Sequence, residues 1–212
     1  MSGWLPEPSP RNLAALLPGN PRLAAQISAD LAARYTADGR FYHTLDHIHD
    51  VLRHVHPFLA QARAPLALQL AAWFHDAVYD PRRADNEAQS AAYATAVLAR
   101  LGAAPGVMTE TARLIRLTEK HETAVTDTDG RILLDADLAI LAARPANYDT
   151  YARAIRREYA HVPEMAYRRG RLAVLERLQT RPSLYLLPEH ADWETAARLN
   201  LQRERAQLSR EI

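Results

Sequence analysis

The sequence contains no cysteine, and this absence removes several functional classes at once. Disulfide frameworks, thiolate metal sites and cysteine nucleophiles all need a thiol. Lysine is almost as scarce, because Lys120 is the only one in 212 residues. The formal net charge at pH 7 is +1, so no extended nucleic-acid surface is expected. Any bound metal must be held by nitrogen and oxygen atoms.

Long apolar runs are also missing. The longest uncharged apolar stretch, residues 64–74, is too short to span a bilayer, and Pro6, Pro8 and Pro10 stand where a secretory signal would be apolar. We therefore expect a cytoplasmic protein without a membrane segment. Alternating strand patterns are almost absent, whereas apolar residues recur at helical spacing. The sequence predicts an all-α protein, folded as a compact helical bundle.

Prolines, glycines and capping residues divide the chain into predicted helices. Asn20 and Pro21 mark the start of the first helix, which Gly39 ends. Thr44 can cap the second helix and Asp85 the fourth. The third begins at Pro65 and is apolar nearly all round, which is typical of a central, buried helix. Further helices are predicted over residues 107–120, 134–143, 148–159, 163–178 and 191–208, and residues 121–130 are predicted to form the one sizeable loop.

Four places in this pattern carry polar residues that suit metal chemistry. His75 and Asp76 lie side by side at the end of the buried third helix, where each needs a buried partner. His43 and His47 are four residues apart, and Asp135 and Asp137 interrupt an apolar run. His121 lies where another helix ends. A metal ion would satisfy these groups together, because imidazole nitrogen and carboxylate oxygen bind several divalent cations.

The ordered series of His47, the His75–Asp76 pair and Asp137 resembles the HD-domain superfamily of metal-dependent phosphohydrolases. The similarity is closest to a subgroup of predicted HD phosphohydrolases, and it extends over nearly the whole chain. The segments that carry it are residues 42–48 (YHTLDHI), 73–76 (WFHD), 85–87 (DNE), 134–138 (LDADL), 158–163 (EYAHVP), 170–171 (GR) and 184–185 (LY).

This resemblance implies one HD-type helical domain over residues 1–212, with a catalytic core at about 20–143 and C-terminal helices at about 145–210 packed on it. It implies His47, His75, Asp76 and Asp137 as the ligands of a divalent manganese, magnesium, zinc, nickel or iron ion, with Asp137 favoured over Asp135. The implied activity is hydrolysis of a small phosphoester, with nucleotides among the candidate substrates, by a metal-activated water.

The remaining site residues are predicted around this metal. In distant relatives the first histidine of a similar segment is a proton donor, so the resemblance implies His43 as the catalytic acid. Asp76 would serve catalysis as well as metal binding, and Glu87 could orient water or a ligand. The candidates for binding the phosphate oxygens are Arg82, Arg83, Lys120, His121 and Arg171.

Other interpretations of the same residues remain open at this point. The quartet of ligands could be a hydrogen-bonded structural cluster, and His43 and His121 could merely cap helix ends. With those two histidines as added ligands, a di-iron oxygenase is an alternative function, and a non-catalytic nucleotide-binding or signalling module is another. Residues 158–163 are expected to pack the C-terminal helices or to close the pocket. The apolar stripe of the last helix could form a homodimer contact.

Overall fold

The computed structural model describes residues 13, 14, 16 and 20–210, so the three N-terminal prolines lie outside the described residues. Within this part of the chain the regular structure is entirely helical, which confirms the predicted all-α fold. The α-helices, numbered in chain order, are α1 (Pro21–Tyr35), α2 (Leu45–Val55), α3 (Pro65–Phe74), α4 (Asn86–Arg100), α5 (Pro105–Leu117), α6 (Thr128–Asp137), α7 (Pro145–Glu158), α8 (Glu164–Gln179) and α9 (Ala191–Ser209). Short 3₁₀ helices cover His56–Phe58, Leu138–Ala142 and Pro188–His190.

Helix α3 is the centre of the larger apolar cluster, as its sequence predicts. It packs against α2, α5 and α6, and most of its residues are buried. Burial of this apolar surface stabilises the fold by roughly 25 cal/mol per Å². At the end of α3, the buried hydroxyl of Tyr35 donates a hydrogen bond to the carbonyl of Trp73 at 2.8 Å. The fixed end of α3 therefore carries the two residues that follow it, His75 and Asp76, into the interior.

The helix starts follow the predicted capping residues only in part. Asn20 caps α1, because its side chain accepts hydrogen bonds from the backbone N–H groups of residues 22 and 23. Thr44 occupies the capping position of α2, but its side chain makes no capping bond. Asp85 also makes none, since its carboxylate pairs with Arg83 at 2.7 Å. Helix α1 ends at Tyr35, and Gly39 belongs to the following turn with φ +90°.

Helix α6 corrects a predicted boundary. The helix expected over residues 134–143 begins six residues earlier, at Thr128, and residues 138–142 continue as a 3₁₀ helix. The carboxylate of Asp127 caps this start by accepting a hydrogen bond from the N–H of Gly130 at 3.1 Å. Asp129 is buried because it accepts hydrogen bonds from the backbone N–H groups of residues 63 and 64, both at 2.8 Å. The polar composition of this segment is typical of a loop, and the partners that allow Asp129 to be buried lie elsewhere in the chain.

We expect Gly130→Ala to destabilise the protein by about 1–3 kcal/mol, the usual cost of overpacking. A Cβ atom there would lie 2.9 Å from Leu117 Cδ1 and would also meet the Asp127 carboxylate, which Arg113 and Thr123 hold in place. Gly106→Ala is the matched control, because nothing lies within 4 Å of its Cβ position. Urea unfolding of both variants measures the difference, and equal midpoints would contradict the prediction.

The C-terminal helices have their own apolar cluster, which includes Tyr148, Leu175 and Leu201. Helix α9 packs against α8 and against the 3₁₀ helix Leu138–Ala142. The segment between α8 and α9 is bound to α6, since Arg131 Nε donates a hydrogen bond to the carbonyl of Leu186 at 2.9 Å. The assignment of residues 1–212 to a single HD-type domain stays a prediction. In the described part of the chain, no helix combines the length and apolar character needed to cross a lipid bilayer.

Candidate metal centre

Three helix ends bring the predicted ligands together. His47 lies in the first turn of α2, His75 and Asp76 directly follow α3, and Asp137 is the last residue of α6. The Nε2 atoms of His47 and His75 are 3.2 Å apart. Asp137 Oδ1 lies 3.1 Å from His47 Nε2 and 3.4 Å from His75 Nε2. Asp76 Oδ2 lies 3.5 Å and 3.2 Å from the same two nitrogen atoms. The predicted ligands, which come from three separate segments of the chain, thus lie close together in space.

The histidine tautomers suit cation binding. His75 Nδ1 lies 3.1 Å from the carbonyl oxygen of Ala72, an acceptor, so this nitrogen carries the proton and donates it. Its Nε2 lone pair is then free to face the two carboxylates. Both histidines are buried, with side-chain exposures of 3% for His47 and 1% for His75. A fixed, buried imidazole of this kind is typical of a metal ligand.

The charges of the cluster are strongly coupled. Burial lowers the pKa of His75, but Asp76 and Asp137 outweigh it and hold that pKa well above its ordinary value. Burial also lowers the pKa of His47, but its hydrogen bonds with Asp137 and Asp76 outweigh burial and raise that pKa above its ordinary value. Burial raises the pKa of each aspartate, yet His75 and the other nearby histidines hold both well below the usual range. A divalent cation would replace the protons that satisfy these carboxylates.

The separations between the ligand atoms fit a bound metal. With metal–ligand distances of about 2.0–2.2 Å, neighbouring ligand atoms are about 3.0 Å apart in an octahedral shell and about 3.4 Å apart in a tetrahedral one. The five distances within the cluster span 3.1–3.5 Å. The group formed by His47, His75 and Asp137 could therefore hold a metal ion. Its mixed nitrogen and oxygen donors suit several divalent cations.

The neighbouring Asp135 has a different role. Its fully buried carboxylate accepts hydrogen bonds from the backbone N–H groups of Leu186 (2.7 Å) and Leu187 (2.9 Å), and it pairs with His190 Nδ1 at 2.9 Å. These three partners occupy the carboxylate and turn it away from the histidine pair. Asp137 is thus the carboxylate of α6 that lies in the cluster, as the resemblance implies.

His43 lies beside the cluster in a second polar network. Its Nδ1 pairs with Glu158 Oε2 at 2.7 Å, and the hydroxyl of Tyr79 donates to the same oxygen at 2.8 Å. The other oxygen of Glu158 accepts the backbone N–H groups of residues 41–43 at 2.7–3.0 Å. Burial opposes ionisation of Glu158, but His43 and these N–H groups lower its pKa to about 2. The ionised carboxylate fixes one face of the His43 ring.

Sequence reasoning missed the role of Glu158. We expected residues 158–163 to pack the C-terminal helices or close the pocket, whereas the last residue of α7 binds the loop before α2 and orients His43. A glutamate amid arginines gave no local sign of this contact. Arg40 was missed as well, although it bridges the same loop to the end of α3 by donating to the carbonyls of His43 (2.9 Å) and Ala77 (3.4 Å).

His121 lies beside the cluster, and Glu87 lies in the first turn of α4. His121 Nε2 contacts Asp137 Oδ2 at 2.9 Å, and the residue adopts a left-handed backbone with φ 52°. Burial raises the pKa of Glu87, and the charges of Asp76 and Glu119 act in the same direction, whereas His121 opposes them. Lys120 is exposed beside His121. Of these three residues, His121 is the one for which the structure gives a direct contact with the cluster.

The three predicted arginines lie in less favourable positions. Arg171 needs a correction, because its buried guanidinium forms a bidentate pair with Glu204 at 2.8 and 3.0 Å and is not free for phosphate. It links α8 to α9. Arg83 is paired with Asp85 at its Nε and one terminal nitrogen, and Arg82 is exposed at 3.8 Å from Asp80. Neither of these two contacts the cluster.

The comparisons with known proteins add no relative to this description. No family model, curated protein or solved structure matches the chain.

Proposed function

We propose that this protein is a metal-dependent phosphohydrolase of the HD type. The observation that carries the proposal is the convergence of His47, His75, Asp76 and Asp137 from three separate helix ends onto one buried point. Two imidazoles and two carboxylates at these separations form a ligand set for manganese, magnesium, zinc, nickel or iron. Asp76 completes the set because it approaches both histidines. The order of these residues along the chain supports the HD assignment.

A divalent ion in this site supplies charge that neutralises a phosphate group and lowers the pKa of a coordinated water towards neutrality. The protein's own residues supply the proton and the orientation. Glu158 binds Nδ1 of His43, so Nε2 is the nitrogen available to protonate the leaving oxygen of the substrate. The ring centre of His43 lies 5.9 Å from that of His47, so His43 is next to one of the proposed metal ligands. We assign His43 as the general acid.

The basic residues next to Asp137 support phosphate binding. His121 is bonded to Asp137, and Lys120 is the adjacent exposed cation. Glu87 is a half-buried carboxylate in the first turn of α4, and we assign it to accept a hydrogen bond from the attacking water. The proposed substrate is a small phosphoester, and nucleotides belong in the first panel tested. The proposed site of action is the cytoplasm.

Phosphate release tests this function. The chelated protein is assayed with nucleotides and small phosphoesters before and after addition of each divalent metal, alongside Asp76→Ala. We expect a metal to restore release and Asp76→Ala to reduce it to the level of the chelated protein. Asp46→Ala is the matched control, because Asp46 is an exposed carboxylate between the two histidines of the same segment. Metal binding without any phosphate release would refute the hydrolase and favour a non-catalytic binding module.

One contact favours a second candidate, a di-iron oxygenase. His121 Nε2 lies 2.9 Å from the second oxygen of Asp137, so these two residues would help to hold the second metal ion of such an enzyme. The same candidate needs His43 as a ligand, and the bond from His43 to Glu158 makes that role less favourable. Iron content and oxygen consumption separate the two functions. Two irons per chain with oxygen-dependent turnover would support the oxygenase.

A further inference from the structure

A cavity of about 300 Å³ lies beside the metal centre and has no role in the function proposed so far. His47 and Asp137 line it, together with successive turns of α2, the 3₁₀ helix after α6, and single residues of α7 and α9. Its volume is at the lower end of the range of about 300–1,000 Å³ that is usual for ligand sites. A molecule bound here would lie next to two of the proposed metal ligands.

The walls of this cavity carry polar groups that have no hydrogen-bond partner within the described part of the chain. The hydroxyl of Tyr42, the ring nitrogens of His54 and the carboxamide of Asn147 all belong to lining residues. None of these groups has a hydrogen-bond partner among the described residues. Burial lowers the pKa of His54, with the charge of Arg53 acting in the same direction, and both effects favour the neutral ring. Neutral donors and acceptors thus converge on the space beside the metal centre.

The charged groups in the lining cancel. Apart from the metal ligands, the charged lining residues are Asp50 and Arg53, which form an ion pair with each other one turn apart on α2. Trp193 contributes a rigid aromatic wall, because it stacks on His190 with the ring centres 3.9 Å apart. No cation remains unpaired in the lining to neutralise a second phosphate group. The cavity therefore suits an uncharged polar group.

We propose that this cavity binds the uncharged, hydroxyl-bearing alcohol portion of a phosphomonoester whose phosphate lies at the metal centre. This specificity rests on the proposed hydrolase function, which it extends. Tyr42, His54 and Asn147 bind the hydroxyl groups, and the paired charges of Asp50 and Arg53 disfavour a second phosphate. The preferred substrates are monophosphates of small polyols or sugars over bisphosphates and over esters without hydroxyl groups.

Binding is measured by NMR on the full chain, titrated with ribose 5-phosphate in EDTA and again with zinc. We expect the Trp193 indole N–H and the Asn147 side-chain amide signals to shift, and phenyl phosphate to shift them less. Asn147→Ala should weaken ribose 5-phosphate binding by about three- to tenfold, the value of one neutral hydrogen bond. Thr150→Ala is the control, because Thr150 is exposed on the same helix and its hydrogen bonds are with Ala146 and Arg153 of that helix. Unshifted signals, or equal binding by both variants, would overturn the proposal.

Kinetics separate this proposal from the function on which it rests. With the metal-loaded protein, we expect fructose 6-phosphate to exceed fructose 1,6-bisphosphate in kcat/KM by at least about tenfold. Asn147→Ala should raise KM for fructose 6-phosphate more than KM for phenyl phosphate, and the control Thr150→Ala should change neither. If no ester releases phosphate while the NMR signals still shift with ribose 5-phosphate, the hydrolase function fails and the binding site stands. If phosphate is released with equal kcat/KM from all three esters, the hydrolase stands and the specificity fails.

Discussion

Asp137→Asn is expected to weaken binding of a divalent ion by about 100-fold or more, because it removes one charged ligand and even the loss of an outer partner costs about 10–100-fold. Asp137 Oδ1 lies within 3.4 Å of both histidine Nε2 atoms, and no other residue of α6 contacts them. Isothermal titration with zinc or manganese measures the loss. The substitution preserves the shape of the side chain, so the comparison concerns charge and ligation.

Asp135→Asn is the matched control, two residues earlier on the same helix. Its carboxylate accepts three hydrogen bonds from the segment before α9 and touches neither histidine of the pair. We expect this variant to keep its metal affinity within about tenfold and to lose about 1–3 kcal/mol of stability, because an amide nitrogen would face buried donors. The opposite pattern, with affinity lost only in Asp135→Asn, would show that the ligand assignment is wrong.

Glu158→Gln is expected to have the second large effect, a loss of about 3 kcal/mol in the free energy of unfolding at pH 7. The pKa of Glu158 is lowered from 4.5 to about 2, and one pKa unit corresponds to about 1.36 kcal/mol. In the variant, an amide nitrogen replaces the carboxylate oxygen that accepts hydrogen bonds from His43 and Tyr79. Three hydrogen-bond donors would then face one another without an acceptor. Urea unfolding of the metal-free chain measures the loss.

The pH dependence of this difference identifies its origin. Because the folded-state pKa of Glu158 lies below its unfolded value, its contribution is fully present above pH 4.5 and is lost as the pH falls towards 2. The stability gap between wild type and Glu158→Gln should therefore narrow between pH 4.5 and pH 2. Glu189→Gln, at an exposed position, should show no gap at any pH. A gap that stays constant down to pH 2 would exclude the ionised carboxylate as its source.

The sequence predicted the parts of the fold that local signals encode. The all-round apolar pattern of residues 65–74 predicted the buried helix α3, and Asn20 with Pro21 predicted the start of α1. Each signal acts within about one helical turn, where capping and periodicity operate. The start of α6 was missed because Asp129 is paired with backbone groups 65 and 66 residues away.

The same distinction applies to the candidate site. The types and order of His47, His75, Asp76 and Asp137 could be read from the chain, because metal chemistry restricts which residues can serve. Arg171 could not be judged, since its partner Glu204 lies 33 residues further along the chain. A buried ion pair and a free phosphate ligand use the same side chain. Only the partner that the arginine has in the folded structure distinguishes these two roles.

The hydrogen bond between His43 and Glu158 also bears on the order in which the contacts of the site form during folding. The two residues are 115 positions apart, whereas the four proposed ligands are separated by at most 90, from His47 to Asp137. Contacts that close long loops form late in folding, because the loss of chain entropy must be offset first. During synthesis the ribosome also releases Glu158 after all four ligands. We therefore expect a newly made chain to bring its proposed ligands together before Glu158 orients His43.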